Sequence, residues 1–342
     1  MKIAFITIIF LSLIYTLKPQ ESPWNFSGQI QLRSEIDARD FFNQTRALSY
    51  ATLRTRLSVS KNLFENLNFF VQIQDSRIFG NTPNTLTAIN NLDLHQANLT
   101  LKEPLGLPLN VKAGRFELSY GTQRFIGPVG WHYVGRSFDG AVLNLNPGVN
   151  IDVYALTLND NQKYIPNSIP SIYHDSLPPA NNSSMYGFWA KKELSKSQII
   201  DFFTFYEINR IKDTTDNPAL SLGTAGVNYN GIFGNFSTLF EGAYQIGSIY
   251  QTDVSAYLLS LILNYKINSF NLATGADILS GTDTSKTQKY NSFTTNYATN
   301  HKFYGFMDYF INIPNNTNKL GLRDFYAMAK WLPESSDFNF AA

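Results

Sequence analysis

There is no cysteine among the 342 residues, which excludes disulfides, thiolate metal sites and a lipid-anchored N-terminal Cys. Charge imbalance is missing too. With 27 Lys and Arg against 26 Asp and Glu, the net charge is +1, so no global field recruits nucleic acid or an anionic membrane surface, and electrostatic selectivity has to be local. Long apolar runs are scarce. The stretch from Ile3 to Leu17, preceded by Lys2 and followed by Lys18-Pro19-Gln20, is too short for a comfortable transmembrane helix and has the layout of a secretory signal. Residues 1–20 are assigned to that signal, and 21–342 to the mature domain. Beyond Leu17 no segment approaches ~18 uninterrupted apolar residues, which argues against a helical membrane protein. The histidines His95, His132, His174 and His301 are scattered without HExxH or tight ligand spacing, so no metal is expected. There is no GxSxG elbow, Walker loop or dinucleotide fingerprint, and no cofactor is implied.

What the chain has is aromatic residues and alternation. The 27 Phe, 19 Tyr and 4 Trp suit strands and membrane-interface girdles better than surface helices. From Trp24 to Asp37, Trp24, Phe26, Gly28, Ile30, Leu32 and Ile36 alternate with Asn25, Gln29, Gln31, Arg33, Glu35 and Asp37. That is period two with one apolar and one thoroughly polar face, the pattern of a strand with lipid on one side and water on the other. The same alternation returns at Ala51 to Ser60, where Arg54 and Arg56 share a face, and at Leu67 to Gln74 after a turn over Lys61 to Asn66.

Further strands are predicted near 92–101, 109–118, 138–145, 150–158, 185–192, 198–208, 220–229, 235–246, 253–265, 270–279, 303–311 and 320–331. Long connections (79–91, 159–184, 210–217, 280–301) alternate with short ones (61–66, 193–196, 231–234), as external loops alternate with periplasmic turns. The fold predicted is an all-β, transmembrane, antiparallel up-and-down barrel of about 16–18 strands when complete. The fifteen strands read directly and the Pro-Glu-Ser-Ser stretch before Asp337-Phe338 suggest a sequence lacking its last strands.

Arginine is concentrated early: Arg33, Arg39, Arg46, Arg54, Arg56, Arg77, Arg115, Arg124 and Arg136 precede residue 150, and only Arg210 and Arg323 follow. Guanidinium groups stay charged at any working pH and donate in a planar fork to carboxylates, so a lumen lined by them can hand a polyanion from site to site. Glu35, Asp37, Asp75, Glu117 and Asp139 are interleaved with them, either to keep solute binding weak or simply to brace the wall as cross-strand ion pairs.

The densest cluster is Gly114-Arg115-Phe116-Glu117, Tyr120-Gly121-Thr122-Gln123-Arg124-Phe125-Ile126-Gly127, Trp131 and Arg136-Ser137-Phe138-Asp139-Gly140. Together with Gln72-Ile73-Gln74-Asp75-Ser76-Arg77 and Leu92-Asp93-Leu94-His95-Gln96-Ala97, it resembles the alginate export family of outer-membrane porins. That resemblance runs from about Trp24 to Leu145, and more weakly through Gly321-Leu322-Arg323-Asp324. It implies a monomeric barrel in the cell outer membrane with an electropositive constriction suited to alginate, a polymer of uronic acids. By matching positions, Arg77, Arg115, Glu117, Arg124, Arg136 and Asp139 are the constriction candidates, joining Arg33, Arg54 and Arg56 from the predicted inward faces. The expected function is passive transport of anionic sugars or polysaccharide. A general diffusion porin and an outer-membrane hydrolase with Ser and His meeting across strands are the alternatives. Membrane lipid and an anionic oligosaccharide or polysaccharide are the expected partners; nucleic acid is not.

Overall fold

The computed structural model describes residues 23–37, 47–80, 92–158, 183–212, 215–283, 289–305, 307–331 and 340–341; the signal assigned to 1–20 and Arg39 and Arg46 lie outside them. The chain forms two compact units, one of residues up to 118 with 128–145, the other of 119–127 with residues from 146 on.

The first unit is a six-stranded antiparallel meander: β1 (Asn25–Asp37), β2 (Leu48–Phe64), β3 (Leu67–Ile78), β4 (Leu92–Lys102), β5 (Leu109–Phe116) and β6 (Phe138–Leu145), each paired with the next. The alternation seen in the sequence is realised inside out. Phe26 and Ile30 are 76% exposed and Ile36 78%, whereas Arg54 and Arg56 on β2 are 2% and 6% exposed. A water-soluble sheet places these faces the other way round; a sheet with lipid on its apolar side does not. Register aligns the polar face in rows, Gln29 opposite Arg56 opposite Gln74, and Gln31 opposite Arg54 opposite Ser76. The β3–β4 register shifts at Gln72/Ile73, opposite His95. A bulge there re-aims one side chain, and His95 is buried on the polar face.

The second unit continues the pattern with β7 (Asn150–Thr157), β8 (Ser183–Ser195), β9 (Gln198–Lys212), β10 (Pro218–Phe233), β11 (Phe236–Ile249), β12 (Thr252–Ile267), β13 (Phe270–Leu279), the two-residue β14 (Lys289–Tyr290), β15 (Leu322–Trp331) and β16 (Phe340–Ala341). Successive strands from β7 to β13 pair antiparallel, β15 joins β13, β16 joins β15, and β14 lies parallel to β12. On β12, Tyr257, Leu259 and Leu261 are exposed while Val254, Ala256, Leu258 and Ser260 are buried.

Three details differ from the sequence reading. Strand β2 runs on to Phe64, leaving only Glu65 and Asn66 in the turn, and β9 runs on to Lys212, shortening the connection expected from Arg210. Among the described residues of 303–311 the expected strand does not form. A 3-10 turn at Asn300–Lys302 leads into it, and Tyr304 and Asp308 have positive φ (63° and 56°), a left-handed backbone that no pleated strand accommodates. The segment's aromatic residues gave it a strand-like composition, but Tyr304 is buried beside Arg124 instead.

Candidate functional site

In the first unit, the connection after β5 turns back so that residues 128–137 lie on the polar face of β1–β3. Five successive main-chain carbonyls in it accept side-chain hydrogen bonds. Gly130 O accepts from Arg54 Nη2 (3.0 Å), Trp131 O from Arg33 Nη1 (2.8 Å) and Gln31 Nε2 (3.2 Å), and His132 O from Arg54 Nη1 (2.6 Å). Tyr133 O accepts from Ser76 Oγ (2.7 Å) and Val134 O from Gln74 Nε2 (2.8 Å), with Arg56 Nη2 at 3.4 Å. Hydrogen bonds from a charged donor contribute about 1.5–3 kcal/mol each, so the two rows of strand residues hold this segment far more firmly than a surface loop is held.

Glu117 ties the other end. Its Oε1 lies 3.1 Å from Arg56 Nη1 and 2.7 Å from His95 Nε2, and its backbone N–H donates to Gln96 Oε1 (3.2 Å). Burial alone would raise the Glu117 carboxyl, but the His95 hydrogen bond and the Arg56 charge outweigh it and hold the group below its usual range. His132 moves down as well, through burial and then the charges of Arg33 and Arg54, so its ring is neutral at neutral pH. The Ser137 hydroxyl sits 3.3 Å and 3.4 Å from the two His95 nitrogens. A hydroxyl almost equidistant from both nitrogens is aligned for proton transfer with neither.

In the second unit, residues 119–127 lie on the buried polar face. A single polar row crosses that face in register: Lys191 on β8 opposite Asp201, Asp201 opposite Asn228, Asn228 opposite Glu241, Glu241 opposite Ser260, Ser260 opposite Asp277, and Asp277 opposite Asp324 on β15. Asp201, Asn228, Glu241, Ser260 and Asp277 are all buried. Arg124 enters the row from above. Its Nε donates to Glu241 Oε2 (2.7 Å), its Nη1 is 3.2 Å from Asp277 Oδ1, and its guanidinium carbon lies 3.9 Å from the Phe303 ring centre and 5.4 Å from that of Tyr304. Thr122 adds its hydroxyl to Glu241. Burial works against the Arg124 charge, but the acidic groups around it, Glu241 and Asp277 being the carboxylates among them, more than reverse this, so it is a cation at every working pH. Burial pushes the Tyr304 phenol up to about 12, leaving it neutral. Aromatic packing completes the attachment: Tyr120 stacks on Trp189 (4.8 Å), Trp189 on Phe203 (4.4 Å), and Phe125 rests against Phe203 (4.6 Å).

Residues 22–333 match the alginate export family. The chain belongs to the alginate export family. Its fold is similar to those of solved outer-membrane proteins. OccAB1 of Acinetobacter baumannii has a TM-score of 0.54 at 12% identity, over 94% of this chain and 89% of its own. OccK8 (OprE) of Pseudomonas aeruginosa has 0.54 at 10%, over 90% and 78%. A BenF-like porin from Pseudomonas fluorescens Pf-5 has 0.52 at 9%, over 90% and 77%. No curated protein matches the chain. This alginate export family protein is an all-β barrel of the outer membrane that forms a pore, in contact with lipid and with the solutes that pass.

Of the residues singled out from the sequence of this family member, Arg33, Arg54 and Arg56 reach carbonyls of the 128–137 segment, and Glu117 pairs with Arg56. Arg33 also pairs with Glu35, and Arg77 with its strand neighbour Asp75. Arg115 and Asp139 are cross-strand partners at 2.6 Å, the carboxylate more than half exposed. The Arg136 backbone N–H donates to Pro128 O (2.7 Å), closing the 128–136 turn. Arg124 belongs to the second unit and engages Glu241 and Asp277 there. Sequence reasoning missed His95, Gln31, Gln74 and Ser76, and missed Asp201, Asn228, Glu241 and Asp277 altogether. The glutamines and serine stand in the same period-two register as the arginines and could have been found by it; the acidic row needs the pairing of six strands.

Proposed function

We propose that the pore passes anionic sugars or stretches of an anionic polysaccharide such as alginate, passively and as a monomer, drawn by the arginine-bearing face of the first unit. The observation that carries this reading is Arg54. Its guanidinium donates to two carbonyls and to Gln29 Oε1 (3.3 Å), and among the described residues it has no carboxylate partner. Carbonyl acceptors hold a guanidinium in place without cancelling its charge, so Arg54 contributes a fixed positive potential that an ion-paired arginine does not. It is buried, so it acts through its field rather than by contact. Arg33, Arg56, Arg77, Arg115 and Arg136 supply the remaining guanidinium groups, with Glu117 and Asp139 limiting how tightly an anion is held. A general diffusion porin is the second reading, favoured by the acidic row from Asp201 to Asp324, which carries more carboxylates than Arg124 and Lys191 offset.

Planar-bilayer recording separates the two. In a KCl gradient the wild-type reversal potential reports anion preference, and uronate oligomers block the current. Arg54→Gln keeps hydrogen-bonding capacity and removes the charge, so anion preference falls. An Arg54→Gln channel as anion-selective as wild type would overturn the assignment, and weak selectivity with no uronate block in the wild type would favour general diffusion.

A further inference from the structure

We infer that Trp131, His132 and Tyr133 form a stacking platform for pyranose rings, giving the pore a preference for sugars that charge alone does not provide. The inference rests on the pore reading above and names what that pore would recognise. Three observations point to it. First, the rings stand in series, Trp131 edge-on to His132 with centres 5.6 Å apart and His132 tilted 31° to Tyr133 at 4.5 Å, and all three residues are only half-buried. Second, the carbonyls of these same residues, with those of Gly130 and Val134, are held by β1–β3. The backbone under the rings is therefore fixed before a solute arrives, and binding costs less ordering entropy. Third, the polar groups around the rings match a sugar.

The C–H face of a pyranose is apolar while its rim carries hydroxyls, which is the division an aromatic surface with polar edges offers. Val134 N–H donates to His132 Nδ1 (3.2 Å), so in the neutral ring Nε2 carries the proton and can donate to a hydroxyl. Tyr133 brings a phenol that donates and accepts. The Arg33 guanidinium lies over the Trp131 ring, 4.9 Å from its centre, and pairs with Glu35, so the carboxylate of a uronic acid ring would share this cation with that acid. Neutral rings would use the same surface without that added pairing.

The test uses the full-length protein in planar bilayers and in detergent, with a neutral hexose trisaccharide and a uronate trisaccharide as probes, and a heat-dependent gel shift to verify folding. Trp131→Ala should weaken block by both probes about tenfold. Tyr133→Leu, the milder second variant, should weaken both severalfold. Equal block in wild type and both variants overturns the platform, as does block by uronate alone that follows Arg33 and ignores Trp131. Loss of the pore reading looks different, as an absence of conductance. Binding is then read by tryptophan fluorescence in detergent, where a saccharide-dependent change present in wild type and lost in Trp131→Phe supports the platform, and its absence from wild type overturns it.

Discussion

Replacing Arg124 by glutamine keeps most of the side chain's length and some of its hydrogen bonds but removes the charge that Glu241 and Asp277 face. Both carboxylates are buried, Glu241 at 0% and Asp277 at 1% exposed, and Arg124 reaches them at 2.7 Å and 3.2 Å. Breaking a buried ion pair from one side costs about 3–5 kcal/mol, because the remaining charge is left uncompensated in a poor solvent. Here two acids are orphaned together, and the contact of the guanidinium with Phe303 goes as well, so the upper end of that range is expected. Urea unfolding from detergent, followed by the heat-dependent gel shift, should show a large drop in midpoint. The triple variant Arg124→Met, Glu241→Gln, Asp277→Asn should recover most of it, since it removes the stranded charges along with their partner. A single Arg124→Gln substitution costing under about 1 kcal/mol would refute the account, because that is the range of an exposed pair.

Three further outcomes follow from the geometry. Glu117 is depressed in the folded state, so the stability it contributes is present above the unfolded value, about 4.3, and is lost as pH falls through its lower folded value. Attachment of 128–137 should thus persist at pH 5 and loosen only in stronger acid, read as rising current noise, and Glu117→Gln should remove that acid step. Gly135 has φ +79°, and a β-carbon there would sit 2.6 Å from Arg56 Nη2, so Gly135→Ala should cost about 1–3 kcal/mol by the same unfolding assay. Ser76→Ala removes one neutral hydrogen bond to Tyr133 O and should cost about 1 kcal/mol, without changing ion selectivity.

Strand positions were legible in the sequence because the membrane imposes a period of two on strands such as Phe26 to Asp37 and Ala51 to Ser60. Which residues would share a face was therefore readable, down to Arg54 and Arg56. What each arginine holds was not. The partners of Arg33 and Arg54 are main-chain carbonyls, which leave no letter in a sequence, and the bulge that turns His95 inward is a shift of register that composition does not encode. The row from Asp201 to Asp324 was hidden for another reason: its members lie on six strands and meet only once the pairing is known. The region 303–311 misled because Phe303, Tyr304, Tyr309 and Phe310 make a strand-like composition, whereas Phe303 and Tyr304 serve as a lid on a buried cation.

The way segment 130–134 is fastened separates anchoring from identity. Every amino acid brings a carbonyl, so the strands grip this stretch whatever side chains it carries. Exchanging Trp131, Tyr133 or Val134 for other residues leaves the clasp from Arg33, Arg54, Gln74 and Ser76 intact. An engineer can treat the stretch as an interchangeable cassette, retuning which solutes are admitted without rebuilding the scaffold that carries it.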